Sequence, residues 1–153
     1  MKTNEKTAEV LNDLIEINND RITGYEKALK ETKPEDADLR SLFENMASES
    51  RSYANDLRKF VIGSGKEPAD GTTTKGKIYR TWMDVKATFT GKDRKSILAA
   101  CEYGEDAAQK AYMDALSTDA ELETDVRQLI AEQKTNLKKS HDKIKAMRDA
   151  QPA

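Results

Sequence analysis

Four stretches of this chain carry an apolar residue every three or four positions, and each stripe is interrupted near its middle by polar side chains. The stripes are Leu11–Leu14–Ile15–Ile22–Tyr25–Leu29, Leu39–Leu42–Phe43–Met46–Tyr53–Leu57–Phe60, Ile97–Leu98–Cys101–Ala108–Tyr112–Leu116 and Leu122–Val126–Leu129–Leu137–Ile144–Met147. That spacing is the repeat of an amphipathic helix. The interruptions are Asn18, Glu49, Glu102 with Glu105, and Gln133. A hairpin about residue 34 sets Asn18 opposite Glu49, and one about residue 118 sets Glu102 opposite Gln133. The expected result is one buried polar layer, Asn18, Glu49, Glu102 and Gln133, at mid-height of a bundle. Bundles build metal and cofactor sites at such a height.

The punctuation supports four long helices, at about 7–32, 35–62, 93–116 and 119–149. Pro34 suits a first helical position. Gly63-Ser64-Gly65 ends the second helix, because glycine accepts the left-handed cap. Thr118 and Glu121 have the spacing of a capping box for the fourth. Residues 63–77 form the one long connection. After it Ile78, Trp82, Val85 and Phe89 predict a short helix at about 75–89. The links are thus short, long, short. Short links make antiparallel neighbours, while the long one either crosses the bundle or caps one end with Trp82. With no alternating strand pattern, residues 1–153 read as a single all-α domain, an antiparallel four-helix bundle.

Composition excludes several functions. Lys and Arg number 26 against 28 Asp and Glu, for a net charge of −2. That balance points to neither nucleic acid nor an anionic membrane as partner. No run approaches the roughly 18 to 20 apolar residues of a membrane span. Cys101 is the only cysteine, on an apolar stripe, and reads as a buried free thiol. No signal peptide is visible, and the expected setting is cytoplasmic.

A carboxylate-bridged di-metal centre needs two bridging carboxylates and a Glu-x-x-His from each of two helices. Here the corresponding slots read Glu49-Ser-Arg-Ser52 and Gln133-Lys-Thr-Asn136, and neither holds a histidine. Glu16, Glu49, Glu102 and Glu105 are the remaining metal candidates, with iron or manganese as the cofactor. The alternative is a hydrogen-bonded layer that binds no cofactor and fixes helix pairing, since unpaired polar groups are costly to bury. His141, the only histidine, lies eight residues beyond Gln133, about 12 Å along a helix. It is expected outside the layer, near Arg94 and Lys95. Asp142 should face another way. Gly71-Thr-Thr-Thr-Lys75-Gly76 lacks the order of a phosphate loop.

Several short motifs nevertheless stand in a familiar order. They are Leu11-Asn-Asp-Leu-Ile-Glu-Ile-Asn-Asn-Asp20 with Gly24-Tyr25, then Trp82 with Lys86, then Thr90-Gly91. Cys101-Glu-Tyr-Gly-Glu-Asp106 with Ala108 and Tyr112 follows, and His141-Asp142 comes last. Together they resemble a family of small bacterial four-helix-bundle proteins of unknown function, grouped with the ferritin-like folds. The resemblance implies an up-down bundle with a long middle crossover and brings no reaction with it. The favoured expectation is a non-enzymatic structural or interaction protein, self-associating or binding another protein. The alternative is a di-metal oxidase or metal-handling protein.

Overall fold

The computed structural model describes residues 5–70, 94–118 and 121–151. Four helices account for most of them: α1 (Glu5–Glu31), α2 (Ala37–Gly63), α3 (Arg94–Leu116) and α4 (Thr124–Asp149). The expected short helix at 75–89, with Trp82, lies outside the described residues. Among those described there is no strand, and no helix is long and apolar enough to cross a membrane.

The buried face of α1 follows a strict alternation of three and four: Thr7, Leu11, Leu14, Asn18, Arg21, Tyr25 and Ala28. α4 repeats the pattern with Val126, Ile130, Gln133, Leu137, Ser140 and Ile144. This is the seam of helices packed nearly parallel or antiparallel, with side chains interdigitating. α1 packs on α2 and on α3, and α4 packs on α3 and more lightly on α2. The core falls into two apolar clusters. One holds Tyr25, Leu39, Phe43, Leu98, Cys101 and Ile144. The other holds Leu11, Leu14, Leu57, Tyr112, Ile130 and Leu137. Burying one such leucine stabilises the fold by about 1.5–3 kcal/mol. Burial raises the Cys101 thiol pKa well above its ordinary value, and the nearby Glu105 charge adds to this, so the thiol is shielded and protonated.

The first hairpin closes tightly. The last carbonyls of α1 accept from the α2 side chain Arg40, whose Nη1 lies 2.9 Å from Leu29 O and 3.0 Å from Thr32 O. Pro34 and Glu35 form the turn itself, and α2 begins two residues later than Pro34 suggests, after Asp36. The exit from α2 turns on Gly65, at φ +80°, with its N–H bonded to Ile62 O at 2.9 Å. A methyl at Gly65 would meet nothing within 4 Å, so its cost is one of backbone conformation alone. Gly65→Ala is expected to lower stability by about 1–2 kcal/mol, read as a shifted urea midpoint at constant m. The chain after this turn lies on α1, where Asn12 bonds Glu67 O and Ala69 N at 3.1 and 2.8 Å.

α3 starts at the opposite end of the bundle. Its Arg94 reaches the start of α2, 3.0 Å from Asp36 and 2.8 Å from Asp38. Hydrogen bonds from Arg94 hold the Asp38 carboxyl down to about 2. α2 and α3 therefore run parallel, so the end of α2 and the start of α3 lie at opposite ends of the bundle. The second hairpin departs from expectation. Glu121–Glu123 are not helical, and α4 begins at Thr124 behind Glu123, not at 119. The Thr118–Glu121 capping box does not form a helix start. Because α4 starts late, Gln133 meets Tyr112 and not Glu102.

Candidate functional site

The centre of the bundle holds a cation supplied by the chain itself. Arg21, on the buried seam of α1, is 1% exposed. Its Nε donates to Glu105 Oε1 at 2.5 Å, and Nη2 reaches Glu105 Oε2 at 3.3 Å. Nη2 also pairs with Glu49 Oε1 at 2.9 Å. Nη1 donates to Ser50 Oγ at 2.8 Å and to Met46 O at 3.2 Å. The guanidinium lies over the Tyr25 ring, 5.1 Å from its centroid. Burial works against its charge, but the Glu105 and Glu49 carboxylates outweigh it and raise the Arg21 pKa. Burial followed by the Glu105 charge pushes the Tyr25 phenol well up.

A line of hydrogen bonds leaves Arg21 and crosses the bundle. Ser50 Oγ, which accepts from Arg21, donates to Asn18 Oδ1 at 2.9 Å. Asn18 Nδ2 donates to Tyr112 OH at 2.8 Å and to Leu14 O at 2.9 Å. Tyr112 OH donates to Gln133 Oε1 at 2.6 Å, and Gln133 Nε2 donates to Tyr53 O at 3.2 Å. Donors all point the same way, from α1 through α2, α1 and α3 to α4 and back to α2. Such a chain polarises along its length, each bond strengthening the next. Glu49 also accepts from Ser140 Oγ at 3.1 Å, which ties α4 to the carboxylate end.

The residues singled out by sequence are divided by this geometry. Asn18, Glu49, Glu105 and Gln133 join the central network. Glu49 is half-buried at its edge. Glu102 does not join: it faces Arg148 near the far end of α4. Glu16 lies half-buried, its carboxyl raised first by burial and then by Asp13 and Asp20. The four metal candidates Glu16, Glu49, Glu102 and Glu105 therefore form no common cage. Arg21 was the residue sequence reasoning missed. Counting strictly by threes and fours from Leu11 lands on Asn18 and then Arg21. The same count on α3 from Leu98 through Cys101 lands on Glu105, not Glu102. Following apolar letters alone passed over Arg21 and left the two glutamates undistinguished.

The fold raises the question of a metal pair at this height. Two carboxylates are present, Glu49 and Glu105, but no imidazole is, and a guanidinium sits between them. Arginine stays protonated in proteins and offers donors only, so it cannot ligate and would repel a metal. The residues do not fit a di-metal centre.

A second polar group lies on the α3–α4 seam. His141 Nε2 is 2.5 Å from Asp106 Oδ1, and Nδ1 is 3.1 Å from Asp142 Oδ1. His141 thus sits at mid-length of α3, not beside Arg94 and Lys95. Asp142 turns toward it, although neighbouring positions on a helix point apart. Burial lowers the His141 pKa, but hydrogen bonds to Asp142 and Asp106 more than offset this and raise it above 6.5. The charged groups around the ring are Asp106 and Glu102 on α3, and Lys138, Asp142 and Arg148 on α4. A folded-state pKa above the unfolded value gives stability that is full below about pH 6.5. It is lost as pH rises through the raised value. In metal-free buffer, the stability gap between wild type and His141→Gln should therefore shrink as pH rises above about 6.5. Urea melts at a series of pH values measure it, and a gap that grows with pH would count against this pairing.

Against solved structures, the chain is similar to a point mutant of Mycobacterium smegmatis Dps1, with a TM-score of 0.80 at 17% identity. The match covers 95% of this chain and 99% of that one. At that identity the likeness speaks for the fold, which is a ferritin-like all-α bundle. No curated protein matches the sequence. The sequence model of a family described as a domain of unknown function, DUF2383, matches residues 6–119, from the start of α1 to just past the end of α3. With three of the four described helices falling in that match, the chain belongs to the DUF2383 family.

Proposed function

We propose that this protein is a non-enzymatic ferritin-like bundle, in which an internal Arg21 takes the place of a metal pair and the bundle serves as a structural or interaction module. The carrying observation is the buried guanidinium between Glu105 and Glu49, 2.5 and 2.9 Å from their oxygens. Its single positive charge offsets the fully buried Glu105 carboxylate, and its Nη2 also engages Glu49, so both carboxylates already have a partner where a metal would need them. A reducing cytoplasmic setting suits the free Cys101, and self-association is the partner reading that accompanies this role. Ile62, Tyr103 and Met113 are large apolar side chains left exposed.

The test is reconstitution with ferrous iron, without oxygen and then with it. The expected result is no acceleration of ferrous oxidation over buffer and no iron lost by Glu105→Gln. About two iron or manganese per chain, released by Glu105→Gln, would overturn the reading. For the partner, sedimentation velocity over a range of concentrations should show association weakened by Ile62→Glu and Met113→Glu. A single unchanging monomer would remove self-association from the proposal.

A further inference from the structure

We propose that Glu102, Asp106 and His141 form a mononuclear site for a zinc-class divalent cation on the α3–α4 seam. One ligand atom from each lies within 4.8 Å of the others. Three ligands around a tetrahedral zinc, each about 2.0–2.2 Å from the metal, stand roughly 3.4 Å apart. His141 and Asp106, 2.5 Å apart, open slightly while Glu102 turns inward to reach that spacing. Glu102 and Asp106 are one turn apart on α3, so they share a face. His141 arrives from the facing helix, its side chain only 18% exposed. Packing holds Glu102 and His141, while Asp106, its side chain 62% exposed, closes the trio from the solvent side.

The imidazole is also prepared for the role. Its Nδ1 is engaged by Asp142, which lies outside the trio. A carboxylate on one ring nitrogen orients the other toward a metal and raises its basicity. The donor set, one imidazole nitrogen with two carboxylate oxygens, suits zinc and its neighbours more than calcium or magnesium. Water would complete the sphere on the exposed side, as in sites with three protein ligands.

Arg148 is the built-in competitor. It pairs with Glu102, yet its Nε and Nη2 also hold Asp149 Oδ1 at 3.2 and 2.8 Å. It can release Glu102 and keep a partner. Binding would therefore exchange one cation for another at Glu102 and displace any proton on His141. This site is separate from the central network and does not depend on the reading of Arg21.

Titration of the untagged full chain with Co²⁺ and Zn²⁺ at neutral pH tests it. The expected results are one ion per chain and a visible Co²⁺ absorption band that Zn²⁺ removes. His141→Ala and Asp106→Asn should each weaken binding at least about tenfold. Arg148→Ala should tighten it. As His141 is the only histidine, its ring NMR signals should shift with Zn²⁺ in the wild-type chain, a readout that needs no variant to fold. Unmoved ring signals, or equal affinity in a folded His141→Ala, would overturn the site. A folded Glu105→Gln, checked by circular dichroism, should leave binding unchanged, and loss of binding in that folded variant would instead place the ion in the bundle centre.

Discussion

Arg21→Met is expected to destabilise the protein by about 3–5 kcal/mol, the cost of leaving a buried charge without its partner. For a chain of this size that is a fall of roughly 10 °C or more in Tm. Methionine fills much of the volume, so the loss comes from electrostatics rather than from a cavity. Glu105, 1% exposed on its side chain, keeps a charge that nothing nearby would neutralise. Ser50 Oγ and Met46 O each lose a donor as well. Removing the charge at Glu105 should reverse most of this. Arg21→Met with Glu105→Leu is expected to recover at least half of the lost stability, because an apolar replacement of a buried ion pair is often neutral or better. Urea unfolding of the two single variants and the double variant gives the coupling energy directly. If Arg21→Met alone stays within about 1 kcal/mol of wild type, the ion pair is not what organises the centre.

Tyr112→Phe should cost about 2–3 kcal/mol, the second largest loss. The ring stays, and its packing beside Leu11, Leu57 and Ile130 stays with it. Only one oxygen is removed, but that oxygen both donates to Gln133 and accepts from Asn18. Two buried polar atoms lose a partner at once. Asn18 Nδ2 retains its bond to Leu14 O, and the Gln133 side chain stays anchored through Nε2 to Tyr53 O, which keeps the loss below that of Arg21→Met. Tyr103→Phe is the control: that side chain is 47% exposed, and its change should stay within about 0.5 kcal/mol. Gln133→Leu added to Tyr112→Phe should partly restore stability, since both ends of the broken bond then become apolar. Equal midpoints for wild type and Tyr112→Phe would mean that water replaces the hydroxyl at no cost.

How much of the fold is legible in the sequence is clearest at α1 and α4. Periodicity in α1 is strong and its ends are punctuated, so the helix and its antiparallel partner were legible. The turn at Pro34 is short, which left little freedom in register, and Asn18 meets Ser50 beside Glu49. At the second hairpin, Thr118 and Glu121 gave a plausible cap that the chain does not use. Moving the start of α4 to Thr124 changes every pairing along the seam. Gln133 goes to Tyr112, His141 to Asp106, and Glu102 to Arg148. Sequence alone does not weigh one cap against the packing of a whole helix. Arg21 illustrates another limit: a charged letter looks solvated until two carboxylates from other helices, 28 and 84 positions away, are brought to it. The His141–Asp142 contact escaped for a local reason, since helix geometry places their Cβ atoms apart but not the ends of their side chains.

The parallel course of α2 and α3 has a kinetic consequence. Each hairpin, α1–α2 and α3–α4, is stitched by contacts between near neighbours in the chain, and such contacts form quickly. Joining the hairpins needs a loop closed across the full length of the bundle, and that closure carries an entropic cost before any contact rewards it. The Arg21–Glu105 pair belongs to this last event. Weakening it should leave refolding of the hairpins fast while the docked state comes apart sooner. In a chevron plot, the loss in Arg21→Met should then appear mainly in the unfolding limb, and the local hairpin contacts should carry the higher φ-values.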